Sequence, residues 1–116
     1  MNPKTSLKQN GDFRRVYARG KSAVSPRVVL YCRKNRLPNN RTGFTVSKKL
    51  GNAVTRNRIR RRLREIARLS AGSLKQGYDL VFVARTRAVD AEYRMLEADV
   101  KSCFEKLKLL KEAGAE

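Results

Sequence analysis

Residues 47–64 read SKKLGNAVTRNRIRRRLR, and the rest of the chain is arranged around them. With about 100° of turn per residue, Ile59, Leu63, Ile66 and Ala67 form a narrow apolar stripe on a helix over residues 53–69. Asn52 is the candidate N-cap. Arg61, Arg64 and Arg68 fall opposite the stripe, and Arg58, Arg60 and Arg62 flank it. One face is committed to a core, and nearly all the rest is cationic. Like charge along about 25 Å of helix is self-repelling in isolation. The positive end of the helix dipole normally attracts acids. Here the first turn offers Arg56 and Arg58, preceded by Lys48 and Lys49, with no acid. Both conflicts are relieved by phosphates, which free N–H groups at a helix start also bind. Arginine suits this role, because its planar guanidinium pairs with phosphate and stacks on bases.

Upstream, residues 10–19 predict a short helix, with Asn10 as cap and Gly20 as stop. Phe13, Val16 and Tyr17 share one of its faces. Residues 21–25 predict a short strand and residues 27–33 (RVVLYCR) a firm one. On the latter, Val28, Leu30 and Cys32 point one way, and Arg27, Val29, Tyr31 and Arg33 the other. Residues 34–41 read as a polar turn. Residues 42–47 read as the next strand, joined to 27–33 in an antiparallel hairpin, with Phe44 and Val46 on one face. Downstream of the arginine helix, residues 77–85 (GYDLVFVAR) read as a strand buried on both faces. Residues 90–111 read as a helix capped by Asp90, with Tyr93, Leu96, Val100, Phe104 and Leu107 as its stripe. The order α-β-β-β-α-β-α predicts an α+β fold, a mixed four-stranded sheet with packed helices. No repeat or linker interrupts it, so residues 1–116 are expected to form one domain.

The net charge is +18, from 28 Lys and Arg against 10 Asp and Glu. It is unevenly placed. Residues 13–64 hold 17 bases and no acid, whereas residues 65–116 hold nine of each. The N-terminal half is therefore expected to face a polyanion. Cys32 and Cys103 are far apart and lack metal-ligand spacing, which favours a reducing, cytoplasmic setting over a disulfide or zinc. There is no histidine, which removes the commonest general base. The longest apolar runs, residues 28–32 and 80–84, are too short to span a bilayer, and no apolar signal core is visible.

The stretch from Thr45 to Glu65, with Asn57 between Arg56 and Arg58, resembles the signature of the bacterial ribonuclease P protein family. The LKxxxDFxxVYxxGKS-like pattern from Leu7 to Ser22, the strand VVLY and the later GYDLVFVAR resemble it too. The resemblance covers nearly the whole chain. It implies an α/β sandwich in which the arginine helix makes a left-handed crossover between parallel strands, against the general right-handed rule. It implies a subunit of the endoribonuclease that matures the 5′ end of tRNA, with the chemistry carried by a catalytic RNA and Mg²⁺. The partners would be that RNA, in a 1:1 complex, and precursor tRNA, with no membrane. Lys48, Lys49, Asn52, Arg56, Asn57, Arg58, Arg60, Arg61 and Arg64 would face the catalytic RNA. Phe13, Tyr17 and Tyr31 would line a cleft for the 5′ leader, and Arg33, on Tyr31's face, is expected to contact the leader with them. No catalytic protein residue and no protein metal ligand is assigned.

Plainer readings stand beside these. Phe13 and Tyr17 at i, i+4 are by default a helix's core face, and Tyr31 on a strand is by default packing. An aromatic beside arginines on an open sheet, however, is a stacking platform for single-stranded RNA. Asp12 and Asp79 are isolated in sequence and read as structural, as does Ser47, which has no base partner. The alternative function is a structural RNA-binding protein of ribosomal type. A DNA-binding regulator is disfavoured because strands flank the arginine helix on both sides. A membrane-surface role is disfavoured because that helix has no Trp or Phe on its apolar face.

Overall fold

The computed structural model describes residues 6–7 and 9–111. The two ends of the expected 1–116 unit and Lys8 of the upstream motif lie outside the described residues. The elements are α1 (Asn10–Arg19), β1 (Lys21–Val24), β2 (Val28–Lys34), β3 (Arg41–Thr45), α2 (Ala53–Ser70), β4 (Tyr78–Ala84) and α3 (Tyr93–Lys106). This is the expected α+β order. The sheet runs β1-β2-β4-β3, with β1–β2 and β2–β4 antiparallel and β3–β4 parallel. The arginine helix α2 makes the crossover between the parallel pair.

The expected hairpin between β2 and β3 does not form, because β4 lies between them. Its reason is chemical. Leu80, Val81 and Phe82 are all buried, so β4 needs cover on both faces and both edges, which only a central place provides. Residues 35–40 therefore form an arch across two strand spacings, about 10 Å. The arch is pinned to the start of β4. The Asn35 side-chain amide donates to Asp79 (2.9 Å), and Asn40 Oδ1 accepts from the Tyr78 N–H (2.8 Å). The Asn40 N–H donates to Gln76 Oε1 (3.1 Å). Arg41 leaves the arch and donates to both Asp79 oxygens, at 2.8 and 2.7 Å.

Strand alternation divides the molecule into layers. Val28, Leu30, Cys32, Leu80 and Phe82 face α2 and α3 in the main core, joined by Ile59, Leu63, Ile66 and Ala67 of α2. These four are the apolar stripe expected from the sequence. On the other face, Leu7, Val16 and Val81 form a small second cluster under α1, with Phe13, Tyr31 and Val83 packed against it. Asn52 caps α2 as expected, accepting from the Thr55 N–H at 3.0 Å.

Other boundaries differ. Gln9, not Asn10, occupies the N-cap of α1. The start of α3 is delayed to Tyr93 because a 3₁₀ turn (Thr86–Ala88) buries Ala88 and Ala91 first. α3 ends at Lys106 because Lys108 turns to φ +56°, which sends Leu109 into the core and pairs Leu110 with Leu74. Arg27 does not share the open face of Tyr31. Its N–H and guanidinium hold Asp99 of α3 on the opposite side, at 3.0 and 3.1 Å.

Asp79 is only 2% exposed, so its charge depends on these donors. Arg41→Ala removes two charge-assisted hydrogen bonds and leaves the carboxylate with Asn35. A loss of about 2 kcal/mol is expected, lowered from the fully buried case because Arg41 is partly solvated. The shift of the urea midpoint measures it.

Candidate nucleic-acid interface

β3 delivers the chain to a 3₁₀ turn (Lys48–Leu50) in which Leu50 is buried and Lys48 and Lys49 are exposed. Gly51 follows at φ +133°, a conformation that side chains rarely adopt. Asn52 then starts α2. The cap uses Asn52 Oδ1, and the residue is exposed. The first turn of α2 contains no acid, so the positive dipole end, Lys48, Lys49 and Arg56 stand together.

Several arginines are held in place by neutral acceptors and one aromatic ring. Arg56 Nε donates to Gly51 O (3.1 Å), Arg58 to Val89 O (3.3 Å), Arg60 to Asn57 Oδ1 (2.8 Å) and Arg62 to Ala91 O (3.0 Å). Arg64 lies over the Phe44 ring, 5.7 Å from its centre. Such partners orient guanidinium groups without neutralising them. Arg68 differs, because Glu65 pairs with it through both oxygens, at 2.6 and 3.1 Å. The Arg68 hydrogen bond holds the Glu65 carboxyl below its ordinary value. No accepting partner is seen for Arg61 among the described residues, and it is exposed. Of the nine residues expected to face RNA, Lys48, Lys49, Asn52, Asn57, Arg58, Arg61 and Arg64 are exposed, and Arg56 and Arg60 are half-buried. Arg62, outside that set, joins α2 to the loop before α3 through Ala91 O, as Arg58 does through Val89 O.

The aromatic group occupies the other face of the sheet. Tyr17 and Tyr31 meet edge to face at 4.9 Å, and Phe13 lies 6.4 Å from Tyr17 at a tilt. Tyr17 is 39% exposed and shares a 2.8 Å hydrogen bond with Thr45 Oγ1. Phe13 is different. Its ring fills the space above Gly43, where an added Cβ would come within 2.6 Å of it. Phe13 therefore mainly seats α1, and Tyr17 and Tyr31 form the open wall. Sequence reasoning missed the floor beside them. Register places Val24, Val29, Val83 and Thr45 in one row on this face, and Val24 is 53% exposed. Alternation along residues 27–33 already puts Val29 on Tyr31's face, but β4's central position is needed to bring Val83 beside it. Arg33 stands in the row beyond Tyr31, level with Asp79 and Arg41.

Asp12 and Asp79, isolated in sequence, are coupled in space. Arg41 lies 2.7 Å from Asp79 and 3.8 Å from Asp12, and Asp12 also holds Arg15 at 2.7 Å. Both carboxylates are structural partners of arginine. Among the described residues, no group of three or more His, Cys, Asp or Glu is placed to hold a metal ion. No helix among them is long and apolar enough to cross a membrane. Burial pushes both cysteine thiols above their ordinary values, which makes them poor nucleophiles.

The family model described as Ribonuclease P matches residues 1–108. The chain is 43% identical over 107 residues to the ribonuclease P protein component of Alkaliphilus oremlandii, covering 92% of this chain and 94% of that one. It is 47% identical over 109 residues to the component from Clostridium botulinum (strain Loch Maree / Type A3), covering 93% of each. Among solved structures it resembles the Staphylococcus aureus RNase P protein, with a TM-score of 0.86 and 31% identity over 92% of this chain and 98% of that one. The Thermotoga maritima RNase P protein gives 0.78 and 28%, over 84% and 92%.

The different tethers of the arginines predict different stability effects. Arg62→Ala removes a part-buried bond to Ala91 O and is expected to cost about 1 kcal/mol. Arg61→Ala is expected to stay within about 0.5 kcal/mol of the parent. Paired urea titrations of the two variants check this.

Proposed function

The chain belongs to the family of ribonuclease P protein components, subunits of the endoribonuclease that processes the 5′ end of tRNA, and on that premise we propose how its two faces divide the work. The cationic surface from Lys48 to Arg64 docks the catalytic RNA. The groove beside α1, walled by Tyr17 and Tyr31 and extended by Arg33, takes the single-stranded 5′ leader of precursor tRNA. The observation that carries this division is the position of the two sites on opposite faces of one sheet. A surface that served one RNA alone would not need an exposed Tyr17 with a half-buried Tyr31 against it on the far face.

The protein's share of the reaction is binding and orientation. Fixed guanidinium groups meet phosphates with little loss of side-chain freedom. Their contacts release counterions, so affinity falls with salt, with a slope of roughly −0.7 to −0.9 per phosphate contact. Bases of the leader stack on Tyr31 and Tyr17, which is tolerant of sequence because every base has a π face. The nucleophile and general base are not supplied by this chain. Mg²⁺, held by the RNA, would support the phosphodiester chemistry when bound. The assembly is one protein to one catalytic RNA, in the cytoplasm, with residues 1–116 acting as one domain.

The test is cleavage of a precursor tRNA at low Mg²⁺ by a bacterial ribonuclease P RNA, with and without the protein. Restored cleavage at the correct 5′ site supports the reading. Tight RNA binding with no effect on cleavage would make the protein a general RNA binder of ribosomal type. Two variants separate the faces. Arg58→Ala combined with Arg61→Ala is expected to weaken association with the catalytic RNA and to flatten its salt dependence by up to two contacts. Tyr31→Ala is expected to leave that association intact and to raise KM about 10-fold for substrates with a leader, in line with one lost stacking contact. Substrates without a leader should not respond.

A further inference from the structure

The side of α2 that faces the edge strand β3 does not close fully on the sheet. Between the second half of α2, β3 and the arch of residues 35–40 lies a cavity of about 730 Å³, within the roughly 300–1,000 Å³ range of small-ligand sites. Its floor is apolar and made by Ala67, Leu74, Leu80 and Phe82. Phe82 is backed by Phe44, stacked on it at 5.3 Å with 14° between the planes. Arg64, which also lines the cavity, lies over the Phe44 ring.

The polar groups around the opening are in two states. The side chains of Asn40 and Gln76 are occupied by the arch and by main-chain carbonyls. Glu65, the acid of the lining, is paired with Arg68. By contrast, no partner is seen among the described residues for the guanidinium of Arg61 or the side-chain amide of Asn39, and both line the cavity. What remains available is therefore a positive charge, a neutral amide and a flat apolar interior.

We propose that this cavity receives an unstacked base of the catalytic RNA, with the base on the apolar floor and its phosphate on Arg61 and Arg64. The proposal rests on the docking of that RNA to α2. Charge and continuity argue for this occupant. Arg61 and Arg64 belong at once to the cationic face and to the rim, so a strand following α2 passes the opening. A base offers flat apolar faces to Leu80 and Phe82 and polar edges to Asn39, and its phosphate answers the uncompensated charge. RNA-binding proteins reach sequence through bases turned out of the helix in this way. An uncharged apolar ligand would leave the arginines unanswered.

Ala71 lines the cavity yet is exposed, so Ala71→Leu can narrow it without entering the core. Asn39→Ala leaves the space open and removes the amide. The experiment is chemical probing of base reactivity in a bacterial ribonuclease P RNA, with wild-type protein and with each variant, alongside equilibrium binding. Wild-type protein is expected to protect an unpaired base that stays reactive with Ala71→Leu, with affinity about 10-fold lower and backbone protection along α2's footprint retained. Asn39→Ala should weaken the same protection, and it decides the matter should Ala71→Leu fold poorly. Base reactivity identical for all three bound proteins overturns the cavity proposal and leaves the docking of α2 standing. Absence of any footprint with wild-type protein overturns both.

Discussion

The carboxylate of Asp79 sits at the mouth of β4, where Asn35 and Arg41 converge on it from the two ends of the arch. A buried carboxylate is tolerable only with such donors, and here the donors belong to the segments that must be kept apart. The anchor holds β2 and β3 on either side of β4 and thereby makes β3–β4 a parallel pair. A parallel pair needs a long crossover, and that crossover is the arginine helix. The position of α2 over the sheet, the loop that follows it and the open edge of β3 all depend on β4 being threaded beneath the arch.

Electrostatics explains how such a helix survives in a folded chain. Residues 13–64 carry no acid, so repulsion within α2 is not relieved by pairing along most of its length. The core stripe of Ile59, Leu63, Ile66 and Ala67 holds the helix down, and burial of such side chains is worth roughly 1.5–3 kcal/mol each for the larger ones. Main-chain carbonyls at Gly51, Val89 and Ala91 then fix individual guanidinium groups. The charge is left intact and ordered, which suits a surface that must meet phosphates without rearranging.

Much of this was legible in the sequence, and the failures share one cause. Periodicity marked all four buried positions of α2, the faces of β2 and the two-sided burial of β4, because each is a local property of side-chain spacing. Asn52 as cap was legible for the same reason. The β2–β3 hairpin was not, since nothing in residues 34–41 taken alone distinguishes a turn from an arch. That distinction lies in Asn35, Asn40 and Arg41 finding partners near residues 76–79. Arg27 was misplaced because its direction is set by Asp99, 72 positions away in the chain. Of the site, the aromatic residues were visible as types. Their unequal roles, Phe13 seated on Gly43 and Tyr17 open beside Tyr31, required the packing of α1.

The attachment of α1 has a consequence of its own. Its buried hold on the sheet is Val16, resting on Val81 and Leu7, with Phe13 at the edge. The main core on the other side has many times that apolar mass. Local opening free energies track such differences, so α1 is expected to open at a lower free energy than α2. A wall of the groove can thus loosen and reseat while the opposite face stays rigid. The thinness of the second cluster thus gives the groove one lightly held wall and one firm one.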